Sequence, residues 1–186
     1  MTKCGDIRVP ITVSPWLPVG LVVYAWLDPA GSFWPILLAA PVHELGHLAA
    51  VVLCGGDILS LRLGLGGACM ALTPLSWGRE CLCALAGPAA GRVLGLWWPV
   101  WPALGFWAMI HSFWNLLPAQ PLDGGRALEA LLLARLPAHR ALTITRLCTG
   151  LTIACLLTLG MWAWLRIDLG IWCLLPGGLL LARNKS

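Results

Sequence analysis

Apolar residues run along the chain in long, nearly unbroken stretches, and polar residues gather between them. Six stretches stand out, at about 16–27, 33–54, 81–98, 101–117, 145–165 and 169–182. A helix of about 20 apolar residues crosses the hydrocarbon of a bilayer, so all six are read as membrane helices, the first and last being short for the task. One loop has a different period. In ILSLRLGLGG, Leu59, Leu61, Leu63 and Leu65 alternate with Ser60, Arg62, Gly64 and Gly66. Period two marks a strand with one apolar face. Gly64, Gly66 and Gly67 then permit a tight turn into ACMAL. Residues 58–72 are expected to form a small hairpin at the cytoplasmic side of the membrane, although an amphipathic surface loop fits the pattern equally well. The stretch LDGGRALEALLLARL reads as a glycine turn followed by a short amphipathic helix. The predicted fold class is an all-α polytopic membrane protein of about six transmembrane helices with a small membrane-associated β-hairpin. It is read as one domain over residues 1–186, with a core at roughly 33–136 and no appended soluble domain.

Composition strengthens this picture. Of 186 residues, 59% are hydrophobic and 11% charged, and the mean hydropathy is +0.83. A soluble domain of this size cannot hide that much apolar surface. The formal charge of +4 does not point to nucleic acid, because the basic residues sit between apolar runs. Lys3, Arg8, Arg62, Arg79, Arg126, Arg135, Arg140, Arg146, Arg183 and Lys185 fall in alternate loops or at the ends; Arg92 and Arg166 do not. This asymmetry orients both termini to the cytoplasm. Arg92 is read as snorkelling to the cytoplasmic interface from the start of the third segment. Among eight cysteines, Cys54, Cys148, Cys155 and Cys173 lie in or beside apolar runs, and Cys81 and Cys83 form C-x-C. Packing explains them better than a disulfide framework. No cleavable signal peptide is evident.

Inside the second segment stands PVHELGHLAAVV, whose residues 43–47 fit H-E-x-x-H. On a helix, positions i and i+4 point to nearly the same side. Two imidazoles there can bind one Zn²⁺, and the glutamate after the first can reach a water on the metal. A carboxylate at mid-membrane costs about 3 kcal/mol on insertion scales, which two merely packed histidines would not repay. Catalytic zinc has three protein ligands and one open position. Asp123 is a candidate for the third. It follows NLLPAQPL, where Pro118 and Pro121 interrupt a helix and Gly124 and Gly125 let the backbone turn. On residue chemistry alone, Asp123 is equally well an N-cap for the helix after it. His111 is better read as packed or water-facing than as a fourth ligand. Asn115 could bond a substrate or a neighbouring helix.

HELGH at 43–47, LAGP at 85–88 and NLLPAQPLDGG at 115–125 together resemble the site-2 protease family of intramembrane zinc metalloproteases, in particular its stage IV sporulation branch. The matching run covers roughly 5–146. The resemblance implies His43, His47 and Asp123 as ligands of one Zn²⁺ and Glu44 as the catalytic acid/base. It also implies that Asn115 and Pro118, of the N-x-x-P element, contact substrate. The implied activity is hydrolysis of peptide bonds in or near transmembrane segments of membrane-tethered proteins, a sigma-factor precursor among them, with membrane regulatory partners and in a bacterial cell membrane. The nucleotide-sensing tandem domain common in that branch, and a PDZ domain, are missing from the sequence. Depth counting puts Glu44 about 15 Å below the cytoplasmic surface, and the hairpin edge is expected to receive unwound substrate by strand addition. The rival readings are a polytopic metal-ion transporter and a catalytically silent binding protein.

Overall fold

The computed structural model describes residues 9–28, 31–64, 67–167 and 174–184. Strand β1 (Ile11–Val13) leads into helix α1 (Trp16–Leu27), and α2 (Phe33–Leu53) carries HELGH. Strands β2 (Ile58–Gly64) and β3 (Gly67–Leu72) follow. Then come α3 (Trp77–Gly95), α4 (Pro102–Asn115), α5 (Asp123–Leu133), α6 (Ala138–Ile167) and α7 (Leu175–Arg183).

Helix α3 is the hub, packed on α2, α4 and α5. Its sequence GPAAGRVLG sets Gly87, Gly91 and Gly95 four residues apart on one buried face. A Cβ on Gly91 would strike the Ser112 hydroxyl of α4, and one on Gly95 would strike the Met109 sulfur. Small residues at this spacing let helix backbones approach closely, the way helices associate when lipid gives no hydrophobic drive. A satellite cluster joins Ala119 and Leu122, in the loop before α5, to Ile153 of α6 and Leu180 of α7. The outward faces carry large apolar side chains, including Trp26, Val93, Leu151 and Leu165. Phe33–Leu53 and Ala138–Ile167 are long and apolar enough to cross a membrane. Such an exposed apolar surface is what lipid contact requires.

The period-two reading of 58–72 corresponds to antiparallel β2 and β3, whose turn at 65–66 lies outside the described residues. The sheet has one strand more than expected. β1 pairs in parallel with β2, so the order is β1-β2-β3, and among the described residues the outer edge of β3 is unpaired. The glycine turn expected at 124–125 is instead the first turn of α5, which begins at Asp123 itself. A Cβ on Gly124 would collide with the Leu116 carbonyl, and one on Gly125 with the Ala119 carbonyl. These glycines serve close approach inside a helix. Helices α3 and α6 begin at Trp77 and Ala138, ahead of the apolar stretches from 81 and 145, because polar first turns belong to the helix without belonging to the hydrocarbon. Part of the last predicted segment, 169–173, lies outside the described residues, and α7 starts at Leu175. Arg92 sits in the last turn of α3, over the Phe113 ring at 5.2 Å, and not at the start of its segment. A cation–π contact satisfies it there.

Candidate metal centre

Positions 43 and 47 lie one turn apart on α2 and both are buried. Their ring nitrogens meet: His43 Nε2 and His47 Nε2 are 3.1 Å apart. Asp123, the buried first residue of α5, brings Oδ2 to 2.9 Å from His43 Nε2 and 3.2 Å from His47 Nε2. Three side chains separated by 76 and 80 positions in the chain thus converge on one point. The N-cap position of α5 is Leu122, so Asp123 is not capping the helix.

The tautomer of His47 follows from its other nitrogen. Nδ1–H donates to the Cys83 carbonyl oxygen at 2.7 Å, and a carbonyl can only accept. With a proton on Nδ1, His47 leaves Nε2 as the atom that faces the Asp123 carboxylate and the His43 imidazole. His43 Nε2, His47 Nε2 and Asp123 Oδ2 are all atoms able to ligate a metal, and they face one another. Tetrahedral coordination at about 2.0–2.1 Å puts ligand atoms about 3.3 Å apart, and the observed separations fall a few tenths short of that. Fixing one ring nitrogen on a backbone carbonyl is the usual orientation of a metal-binding histidine. His43 lacks that support: its Nδ1 is buried without a hydrogen-bond partner. Its ring is instead braced edge-on by His111, with centroids 4.6 Å apart. The group His43, His47 and Asp123 could hold a metal ion.

Glu44 points to the sheet. Its Oε1 accepts the Ala68 N–H at 3.3 Å, at the start of β3. Asn115 turns back along its own helix, donating Nδ2–H to the His111 carbonyl oxygen at 3.0 Å and to His111 Nε2 at 3.3 Å. Pro118 is exposed in the loop after α4. Among the described residues, no hydrogen bond links Asn115 or Pro118 to the converging three.

Sequence reasoning missed two supports of the centre. One is the Cys83 carbonyl, which no side-chain pattern reports. The other is Gly87, where a Cβ would clash with the Nε2 edge of the His47 ring. Gly46 of HELGH does the reciprocal service, since a Cβ there would meet the Ala86 carbonyl and Ala90. The signal was present in the four-residue glycine spacing that begins within LAGP.

No family model matches the chain, and no curated protein matches it. A solved structure does: the site-2 protease from Methanocaldococcus jannaschii, with a TM-score of 0.66 over 97% of this chain and 91% of that one. The chain folds like a site-2 protease. At 18% identity the likeness is one of fold, and the chemistry rests on the residues described above.

Proposed function

We propose that this protein is an intramembrane zinc metalloprotease of the site-2 type, cutting peptide bonds in or near transmembrane segments of membrane-tethered proteins. The observation that carries the reading is the meeting of His43, His47 and Asp123 on one point, with Glu44 at the adjoining position of α2. His43, His47 and Asp123 are the proposed ligands, and the two-nitrogen, one-oxygen set suits Zn²⁺. A bound zinc supplies Lewis acidity toward a carbonyl oxygen and an attacking water. Glu44 takes the proton of that water and returns it to the leaving amine.

Glu44 also marks where the substrate would lie. The Ala68 N–H it accepts points away from β2, because β3 has its free edge on that side. By the alternation of an antiparallel ladder, the N–H and C=O of Met70 face the same way. An unwound substrate strand added to that edge runs past Glu44. A helical substrate must unwind first, because its peptide groups are already paired. Asn115 and Pro118 are assigned to substrate contact, for which Asn115 must give up its bonds to His111. The proposed setting is a bacterial cell membrane crossed several times with both termini cytoplasmic. Glu44 then lies about 14 Å along α2 from its cytoplasmic end at Leu53. A sigma-factor precursor and membrane regulatory partners belong to the same proposal.

The test is cleavage of a reporter bearing a transmembrane segment by purified protein in lipid. Cleavage should stop on chelation and resume when Zn²⁺ is returned. Cleavage indifferent to chelation would count against the proposal.

A further inference from the structure

We infer that Thr149 of α6 is a positioning residue for the metal centre, holding in place the loop that delivers Asp123. The inference rests on the reading of Asp123 as a ligand.

Five threonines of α6 satisfy their hydroxyls alike. Thr143, Thr145, Thr149, Thr152 and Thr158 each donate to the carbonyl oxygen four residues earlier. This is the ordinary local bond of a helical threonine. Thr149 alone among them also accepts: the Gln120 N–H donates to its Oγ1 at 3.0 Å. Thr149 is 1% exposed, so no water stands in for that bond.

Gln120 lies three residues before Asp123, and little slack separates them. The Leu122 N–H donates to the Ala119 carbonyl oxygen at 2.9 Å. The first turn of α5 rests on the same backbone, for a Cβ on Gly125 would collide with the Ala119 carbonyl and the Gln120 nitrogen. The other bond of Gln120, from Nε2–H to Glu129 Oε2 at 2.8 Å, ties the loop only to α5, which moves with it. Ile153, one turn beyond Thr149 on α6, adds an apolar seat under Ala119 and Leu122. Apolar contact fixes height; the hydroxyl fixes register. Thus His43 and His47 are positioned by α2 against α3, and α5, which carries Asp123, also packs on α3, while the loop that leads into Asp123 is tied to α6 by one directional bond. Removing the hydroxyl leaves the half-buried Gln120 N–H without its partner, and the loop is free to shift.

The experiment measures Zn²⁺ retention against a competing chelator, with reporter cleavage alongside, on the full-length purified chain. Thr149→Val keeps the volume and removes the hydroxyl. It should hold zinc about tenfold more weakly and lower kcat with KM unchanged. Thr149→Ala, which places no methyl against the loop, carries the same expectation if the valine variant folds poorly. Thr149→Ser should restore the wild-type values. Thr145→Val removes an equally buried hydroxyl whose hydrogen bond stays within its own helix, and should behave as wild type. The inference is overturned if the Val and Ala variants at 149 hold zinc as Thr145→Val does, or if Thr149→Ser is as weak as Thr149→Val. A wild-type chain that binds no zinc overturns the metal reading itself, and this inference with it.

Discussion

The block α2 to α5 and the rim of α1, α6 and α7 are built on different principles. In the block, α3 buries seven residues, four of them glycine or alanine and none larger than cysteine or proline. Backbones approach until a single added Cβ, on Gly87, would strike the His47 ring. On the rim, α1 buries no residue. The thirty residues of α6 bury Ala141, Thr145, Thr149, Ile153 and Gly160, the first four a stripe at four-residue spacing. Large apolar side chains on α1 and α6, among them Val22, Trp26, Leu147, Leu151 and Leu165, are turned outward. The block sets atomic positions, whereas the rim meets lipid and touches the site through one narrow seam. Sensitivity to substitution should follow that division.

The largest effect belongs to the chemistry of the block. Glu44→Gln should cut turnover by about 10²–10⁴-fold while zinc stays bound; single-turnover cleavage near the wild-type rate would break the assignment. Gly87→Ala tests the packing. A methyl driven against His47 should cost about 1–3 kcal/mol, seen as a lower Tm in detergent together with lost zinc. Met70→Pro comes next. Its N–H faces the free edge, where proline is tolerated, so the β2 ladder and zinc content should be spared. Cleavage should fall about tenfold, equivalent to one good hydrogen-bonded contact, and unchanged cleavage would exclude strand addition at β3. The smallest effect belongs to the rim: Leu151→Ala, at an exposed position of α6, should change stability by less than about 0.5 kcal/mol. A loss as large as that of Gly87→Ala would erase the distinction between block and rim.

How far the sequence could be read follows the same division. Helix α2 was legible to within a residue, because its apolar run and the H-E-x-x-H spacing both use the helical period. The β2–β3 hairpin was legible from the alternation of leucines. β1 was not: three residues between Pro10 and Ser14 carry no period, and only their pairing to Leu61, Arg62 and Leu63 makes them a strand. Gly124 and Gly125 were misread as a turn because local preference favours one. Contact with Leu116 and Ala119 is what excludes a side chain there. Polar first turns hid the true starts of α3 and α6, since hydropathy reports the hydrocarbon and not the hydrogen-bonded helix. For the metal centre, pattern supplied the side chains and resemblance chose between two roles for Asp123. The backbone carbonyl of Cys83 and the bond from Gln120 to Thr149 depend on tertiary placement, which no local pattern encodes.

The central claim is that His43, His47 and Asp123 jointly grip one divalent ion. The most direct measurement is metal content per chain of the purified protein, by inductively coupled plasma mass spectrometry, for wild type and Asp123→Asn. The account predicts about one zinc per wild-type chain and its loss in the variant with the fold retained. Wild type free of zinc after growth in zinc-replete medium, or an Asp123→Asn chain that keeps its full complement, would contradict it.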